Sequence, residues 1–296
     1  HQVIPVVVSD AGEPGVLRAA EALRQDLEAV SGGSVLVAGQ VPAGHPFIVI
    51  AGTLGKCPLI DDLSARGKIN PGEIRGRWES TLIEVVHKPF PGVKKALVIA
   101  GSDMRGTIFG MYDLSASVGV SPWTWWADVP VKKAADLYIP PTRIVIGSPK
   151  VRYRGIFIND EAPALSGWVH ENYGSFNHRF YERVFELILR MKGNFLWPAM
   201  WGRAFYDDDP LNPQLADEYG VVIGTSYHEP MMRAHDEWRR YGSGKWNYRE
   251  NPEVLREFWR SGISRMGKFE SLVTVGMRGD GDEPMSREAD ISLLEE

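Results

Sequence analysis

Beyond Gly147 the chain repeats one pattern four times, and few folds satisfy it: a short apolar run, a cluster of polar residues, then a stretch with helical periodicity. The runs are Ile156-Phe157-Ile158, Phe195-Leu196-Trp197, Val221-Val222-Ile223 and Leu272 to Gly276. Apolar runs this short and without alternation read as strands buried on both faces, which points to a parallel sheet covered by helices. Phe180, Val184, Leu187, Ile188 and Met191 share one face of a helix predicted after the first run. Asn251-Pro252-Glu253 supplies an N-cap, a proline at the first helical position and an acid in the first turn. Asn212-Pro213 gives a similar signal for a shorter helix. Four such units predict the first half of a TIM (β/α)8 barrel, with the polar clusters at its C-terminal mouth. A complete barrel needs eight strands and roughly 250 residues, so the expectation is a chain that stops half-way round, as a truncated fragment. A dinucleotide-binding sheet is disfavoured, because no Gly-x-Gly-x-x-Gly follows the first strand.

The preceding residues differ in rhythm and composition. Of ten Trp, nine lie from Trp123 onward. Strands are expected at Val3 to Val8, Val35 to Ala38, Phe47 to Ala51, Leu82 to His87 and Ala96 to Ala100. Val16, Ala20, Leu23, Leu27 and Val30 mark an amphipathic helix between the first two, and further helices are expected near Leu59 to Ala65 and Met104 to Ser117. This mixed order predicts an α+β sandwich. Pro140-Pro141 and Gly147-Ser148-Pro149 break it off, so two domains are expected: an N-terminal α+β domain over 1–147 and a partial barrel over 148–296. Trp123, Trp125 and Trp126 read as packing between these domains.

Charge and cysteine content narrow the function classes. The 33 basic and 38 acidic residues give a net charge of −5, and the absence of a basic stripe argues against nucleic acid as a partner. No apolar run approaches the ~20 residues of a membrane helix. Cys57 is the sole cysteine, which excludes an internal disulfide and a cysteine zinc cluster. The start at His1-Gln2-Val3 has no basic and apolar leader, so a signal was either never there or has been removed.

Candidate chemistry concentrates after the four apolar runs. In Asn159-Asp160-Glu161 the adjacent carboxylates suit an acid, a base or a clamp on sugar hydroxyls, although the same residues also favour a helix cap or turn. In Gly276 to Glu283, glycines alternate with charges and allow the backbone to aim several side chains into one site. Arg278 suits a bidentate grip on a carboxylate, and Asp282 suits action on a water or leaving group. A solvated turn competes with that reading, whereas an adhesion-type Arg-Gly-Asp and a calcium loop do not fit the surroundings. His228 and Glu229 are adjacent and so cannot form the i, i+4 pair of a zinc helix, leaving sugar hydrogen bonding as their functional reading. Trp168, Tyr173, Trp197, Trp201, Tyr206 and Tyr227 could stack on pyranose faces, while each one singly also suits core packing.

The stretches Arg105 to Ser115, Gly119 to Pro130, Arg154 to Glu161, Asn194 to Trp201, Ala216 to Gly220, Gly224 to Met231 and Gly276 to Asp282 together resemble glycoside hydrolase family 115, the xylan α-1,2-glucuronidases. The resemblance covers nearly all of the chain from about Asp103. It implies a hydrolase that removes glucuronic or 4-O-methylglucuronic acid from glucuronoxylan or aldouronic oligosaccharides by an inverting mechanism, with no cofactor or metal. It further implies Asp282 and Asp160 as catalytic carboxylates, and Arg278 as the grip on the uronate. Glu161, Asn194, Trp197, Trp201, His228, Glu229 and Asp280 are the remaining expected substrate contacts. A further catalytic glutamate on a later strand, a secreted or periplasmic location and a homodimer of the full-length parent complete the expectation. The competing readings are a non-catalytic carbohydrate-binding half barrel, and a glycosidase for a different acidic sugar or a hexosamine.

Overall fold

The computed structural model describes residues 4–9, 13–134, 136–280 and 283–284. Asp282 therefore lies outside the described residues. The chain forms two compact units, the first comprising His1–Arg152 with Leu189–Lys192 and Glu218–Gly220, the second comprising the rest. No helix among the described residues is long and apolar enough to cross a membrane.

The first unit is built on β1 (Ile4–Val8), α1 (Pro14–Ser31), β2 (Val35–Ala38), β3 (Phe47–Thr53), α2 (Pro58–Ala65), β4 (Thr81–His87), β5 (Lys95–Gly101), α3 (Met104–Ser117) and β6 (Arg143–Ile146). Its six strands form one sheet in the order β2-β1-β3-β5-β4-β6. β2, β1, β3 and β5 run parallel, and β4 is antiparallel to both of its neighbours. The expected sandwich is thus a single mixed sheet, because the helical crossover α1 returns the chain parallel to β1. The β6 edge strand escaped the sequence reading, its register fixed by Leu82 opposite Val145 and Ile83 opposite Ile144. One core holds Val7, Ile48, Ile50 and Val98 against Ile60 and Leu63 of α2. Residues of opposite parity face the other way, as the period of two requires, and a Cβ on Gly110 of α3 would come within 2.5 Å of Ile99. Trp123 and Trp125, expected to pack between domains, are substantially exposed.

The second unit runs β7 (Gly155–Phe157), α4 (Ala164–Tyr173), α5 (His178–Arg190), β8 (Phe195–Trp197), α6 (Phe205–Asp208), α7 (Leu211–Tyr219), β9 (Val222–Gly224), α8 (His235–Tyr241), α9 (Pro252–Met266) and β10 (Ser271–Leu272). Its four strands pair in chain order, β7-β8-β9-β10, all parallel. Central strands carry the buried core, with Leu196 and Val222 fully inaccessible. Burial on both faces fails for β7, where Ile156 and Phe157 are exposed at the edge of the described sheet. The fourth strand is confined to Ser271–Leu272, and Val273 to Gly276 continue outside any strand. On α5 the apolar face holds Phe180, Val184, Phe185 and Ile188, but Met191 falls past the helix end and is exposed. Asn251 precedes α9 without capping it; its Nδ2 donates instead to the carbonyls of Ser243 and Lys245. At α7 the amide of Leu211 is taken by Asp209 Oδ1, and Asn212 Nδ2 donates to the Phe205 carbonyl.

Strand approach in this sheet depends on one residue without a side chain. A Cβ on Gly155 would sit 1.7 Å from the backbone oxygen of Phe195, its partner in register. Gly155→Ala should therefore lower stability by at least about 2 kcal/mol through overpacking that backbone cannot relieve. Gly167→Ala on α4, where nothing lies within 4 Å, should be neutral or stabilising by up to about 1 kcal/mol. Paired urea unfolding curves check both outcomes.

Candidate active site

The polar segments after all four strands of the second unit meet one another. Ile158 extends the β7 ladder by donating to the Trp197 carbonyl at 2.9 Å. The chain then exposes Asn159 and buries Asp160. One carboxylate oxygen of Asp160, Oδ1, accepts the backbone N–H of Met200 at 2.8 Å and that of Trp201 at 3.3 Å. The other, Oδ2, is buried without a hydrogen-bond partner in the protein. The Ser166 hydroxyl donates to the Asp160 carbonyl, which ties the loop to α4. Trp201 in turn donates its indole N–H to Asn159 Oδ1 at 3.1 Å, and Asn159 Nδ2 reaches exposed Glu161 at 3.4 Å. Trp201 keeps 48% of its surface exposed.

The segment after β9 closes the next side. His228 is buried, with its ring 4.1 Å from that of Tyr227 and 6.1 Å from that of Trp201. Arg278, from the segment after β10, holds its guanidinium 5.1 Å above the exposed Tyr227 ring, a cation–π contact. Two bonds bind these segments: Thr274 Oγ1 donates to the Thr225 carbonyl at 2.7 Å, and Met231 N–H to the Thr274 carbonyl at 2.9 Å. Pro230–Met232 form a 3-10 turn in which Met231 and Met232 have φ of 55° and 59°, a conformation unfavourable for a side chain larger than glycine.

Glu229 points inward from that turn. Its Oε1 accepts the His235 N–H at 3.2 Å, and its Oε2 lies 3.5 Å from the Ser226 hydroxyl. Burial pushes its carboxyl up to about 8; the bonds from His235 and Ser226 oppose that only in part, and the nearby Glu237 charge adds to it. Tyr181, wholly buried beneath the site, accepts the Ala199 N–H at 3.2 Å, and burial raises its hydroxyl well above the usual range.

The sequence-derived candidates thus divide. Asp160, Trp201, His228 and Arg278 gather with Asn159 and Tyr227, while Glu161 stands at the exposed rim. Glu229 is part of the framework behind His228. Trp197 packs edge-on against Phe157 and Phe195 at 5.6 and 6.5 Å. Asn194 is corrected outright: it is fully buried at the N-terminal end of β8, the end away from the polar segments. Its Oδ1 accepts the Arg154 N–H at 2.8 Å, and its own backbone links Arg154 to Val222. A buried amide there fixes strand register, since its polar atoms must be satisfied inside the protein. Asp280 accepts from His235 at 2.8 Å. Sequence reasoning missed His235, Tyr181 and the Met200 and Trp201 amides, because a backbone donor leaves no residue-type signature. Among the described residues no group of three or more His, Cys, Asp or Glu could hold a metal.

The family model for glycosyl hydrolase family 115 matches residues 146–296. A solved family GH115 4-O-methyl-α-glucuronidase with specificity for decorated arabinogalactans superposes with a TM-score of 0.86 at 31% identity, over 99% of this chain and 38% of its own. This chain belongs to family 115. It spans well under half the length of that family member. A GH138 enzyme targeting pectin rhamnogalacturonan II (TM-score 0.43, 14% identity, 81% of this chain and 26% of that one) and the Streptomyces plicatus N-acetyl-β-hexosaminidase (0.44, 11%, 80% and 44%) are far weaker likenesses that carry no weight. No curated protein matches the chain.

The raised carboxyl of Glu229 has a consequence for the pH dependence of stability in this family member. Folded Glu229 keeps its proton up to about pH 8, whereas an unfolded glutamate loses it near 4.3. Between those values the folded state binds more protons, so stability falls as pH rises and levels off above the window. Glu229→Gln, neutral throughout, should flatten that decline in thermal unfolding scans from pH 4 to 9.

Proposed function

We propose that this chain carries uronate recognition and acid–base machinery of an α-glucuronidase that removes (4-O-methyl)-glucuronic acid side chains from glucuronoxylan or, as in the solved family member, from decorated arabinogalactans. The observation that carries the reading is Asp160: a buried carboxylate at a strand C-terminus, one oxygen anchored by two backbone amides and the other without a protein partner. Such a group is held in place with hydrogen-bonding capacity that the protein itself does not use. Trp201 offers exposed aromatic surface for the sugar ring, and Tyr227 carries the Arg278 guanidinium over its own ring. Arg278 offers the guanidinium that matches a uronate carboxylate.

In this reading the four parallel strands are the first half of a TIM barrel and the site is its mouth. Asp160 and Asp282 are the carboxylates of an inverting pair, which stands about 6.5–9.5 Å apart so that a water fits between base and anomeric carbon. One carboxyl protonates the leaving oxygen while the other deprotonates that water, and no cofactor takes part. Secretion or periplasmic location, and a homodimer of the full-length protein, fit a polysaccharide substrate.

Two substitutions test this. Asp160→Asn preserves the acceptor for the Met200 and Trp201 amides and should leave thermal stability nearly unchanged, while release of glucuronic acid from glucuronoxylan or arabinogalactan falls at least about 100-fold. Arg278→Ala should weaken binding of glucuronic acid about 10-fold or more, as loss of a charged hydrogen bond does, and leave neutral xylo-oligosaccharides unaffected. Undiminished release by Asp160→Asn would sink the catalytic assignment. Calorimetric binding of aldouronic oligosaccharides without any release would favour the non-catalytic binding module.

A further inference from the structure

The segment from Gly276 to Asp280 has no strand or α-helix to hold it, yet it presents Arg278 to the site. Trp246 donates its indole N–H to the Arg278 carbonyl at 2.8 Å. Met277 packs on the cluster of Trp238, Trp246 and Phe258. A side-chain pair, His235 Nε2 to Asp280 Oδ1 at 2.8 Å, adds a further attachment. A carboxylate only accepts, so Nε2 carries the proton.

His235 is well placed for this. It is the first residue of α8, and its backbone N–H is bonded to Glu229. Its ring stands edge-on to Trp246 at 5.3 Å, which limits its rotation. One residue therefore links the turn that carries His228 to the segment that carries Arg278. Asp280 keeps 70% of its side chain exposed, and exposed ion pairs contribute little to global stability. The pair acts on where the segment lies rather than on whether the protein folds.

We propose that His235 is a positioning residue which, through Asp280, holds the Arg278 to Asp280 segment in the geometry that binds a uronate. The proposal rests on the reading of Arg278 as the uronate grip. It also reassigns Asp280 from a direct substrate contact to the acceptor of this internal bond.

A double-mutant cycle on the protein tests it, with D-glucuronic acid as the calorimetric probe and amide hydrogen exchange of residues 276–280 as a second readout. His235→Phe keeps the ring packing on Trp246 and removes the donor; Asp280→Ala removes the acceptor. Each should weaken glucuronic acid binding three- to tenfold, with the melting temperature unchanged, and the double variant should lose no more than either single. Asp280→Asn, whose carbonyl still accepts from the imidazole, should retain most of the affinity. Exchange in the segment should accelerate in His235→Phe and Asp280→Ala alike. Loss in Asp280→Ala alone would make Asp280 a substrate contact and overturn the proposal, as would additive losses in the double variant. If the unaltered protein binds no glucuronic acid, the uronate reading fails on its own; exchange unchanged by either substitution would then refute the positioning role separately.

Discussion

Glu237 is completely buried and meets two guanidinium groups, Arg233 and Arg265. Its second oxygen also accepts the Ala234 N–H at 2.9 Å, and Arg265 continues to the Met232 carbonyl at 2.8 Å. Taking these charges out of water is costly, and mutual attraction must offset that cost although Arg233 Nε and Arg265 Nε are buried without a hydrogen-bond partner. Removing the carboxylate would strand two cations, a loss of about 3–5 kcal/mol by the general behaviour of broken buried pairs. What the network secures is the turn at Pro230–Met232, α8 and α9, whose close approach leaves no Cβ room at Gly262 beside the Met231 carbonyl. The strained methionines of that turn persist because this surrounding geometry fixes them. Tyr227, His228 and Glu229 on one side and His235 on the other take their positions from it.

The candidate site then follows from a division between satisfied and unsatisfied polar atoms. Asp160 has one oxygen fixed by backbone amides and one buried without a protein partner, which makes it rigid without exhausting its hydrogen-bonding capacity. Glu229 is its opposite: both oxygens face internal groups, its proton is retained by burial, and it serves as framework. Two buried carboxylates of the second unit thus differ in hydrogen bonding because their surroundings differ. The strands that precede them have only two or three residues each, so the geometry of the candidate site depends on loop-to-loop bonds, such as Thr274 to Thr225 and Trp201 to Asn159, more than on the sheet ladder.

Period and punctuation made much of the architecture legible. The amphipathic pattern from Val16 to Val30 became α1, and the Pro252 start signal became the first residue of α9. The strands around Leu196 and Ile223 lie where their apolar runs placed them. Errors occurred where tertiary pairing decides: β6 exists because Val145 finds Leu82, the residues after Leu272 do not form a strand, and Met191 follows the end of its helix rather than its hydrophobicity. Asn194 was misread because its motif neighbours line the mouth, while its own amide lies at the opposite end of β8, satisfying Arg154.

Residue types in this chain were enough to indicate parallel βα units, acids and aromatics after each strand, and an arginine suited to a carboxylate, because side-chain chemistry and local periodicity are properties of short segments. Which oxygen of Asp160 lacks a protein partner, that Glu229 is buried, that Asn194 faces away and that His235 reaches Asp280 were decided only by tertiary structure. Each of these depends on a partner 6 to 45 residues away, and on how much water that partner excludes.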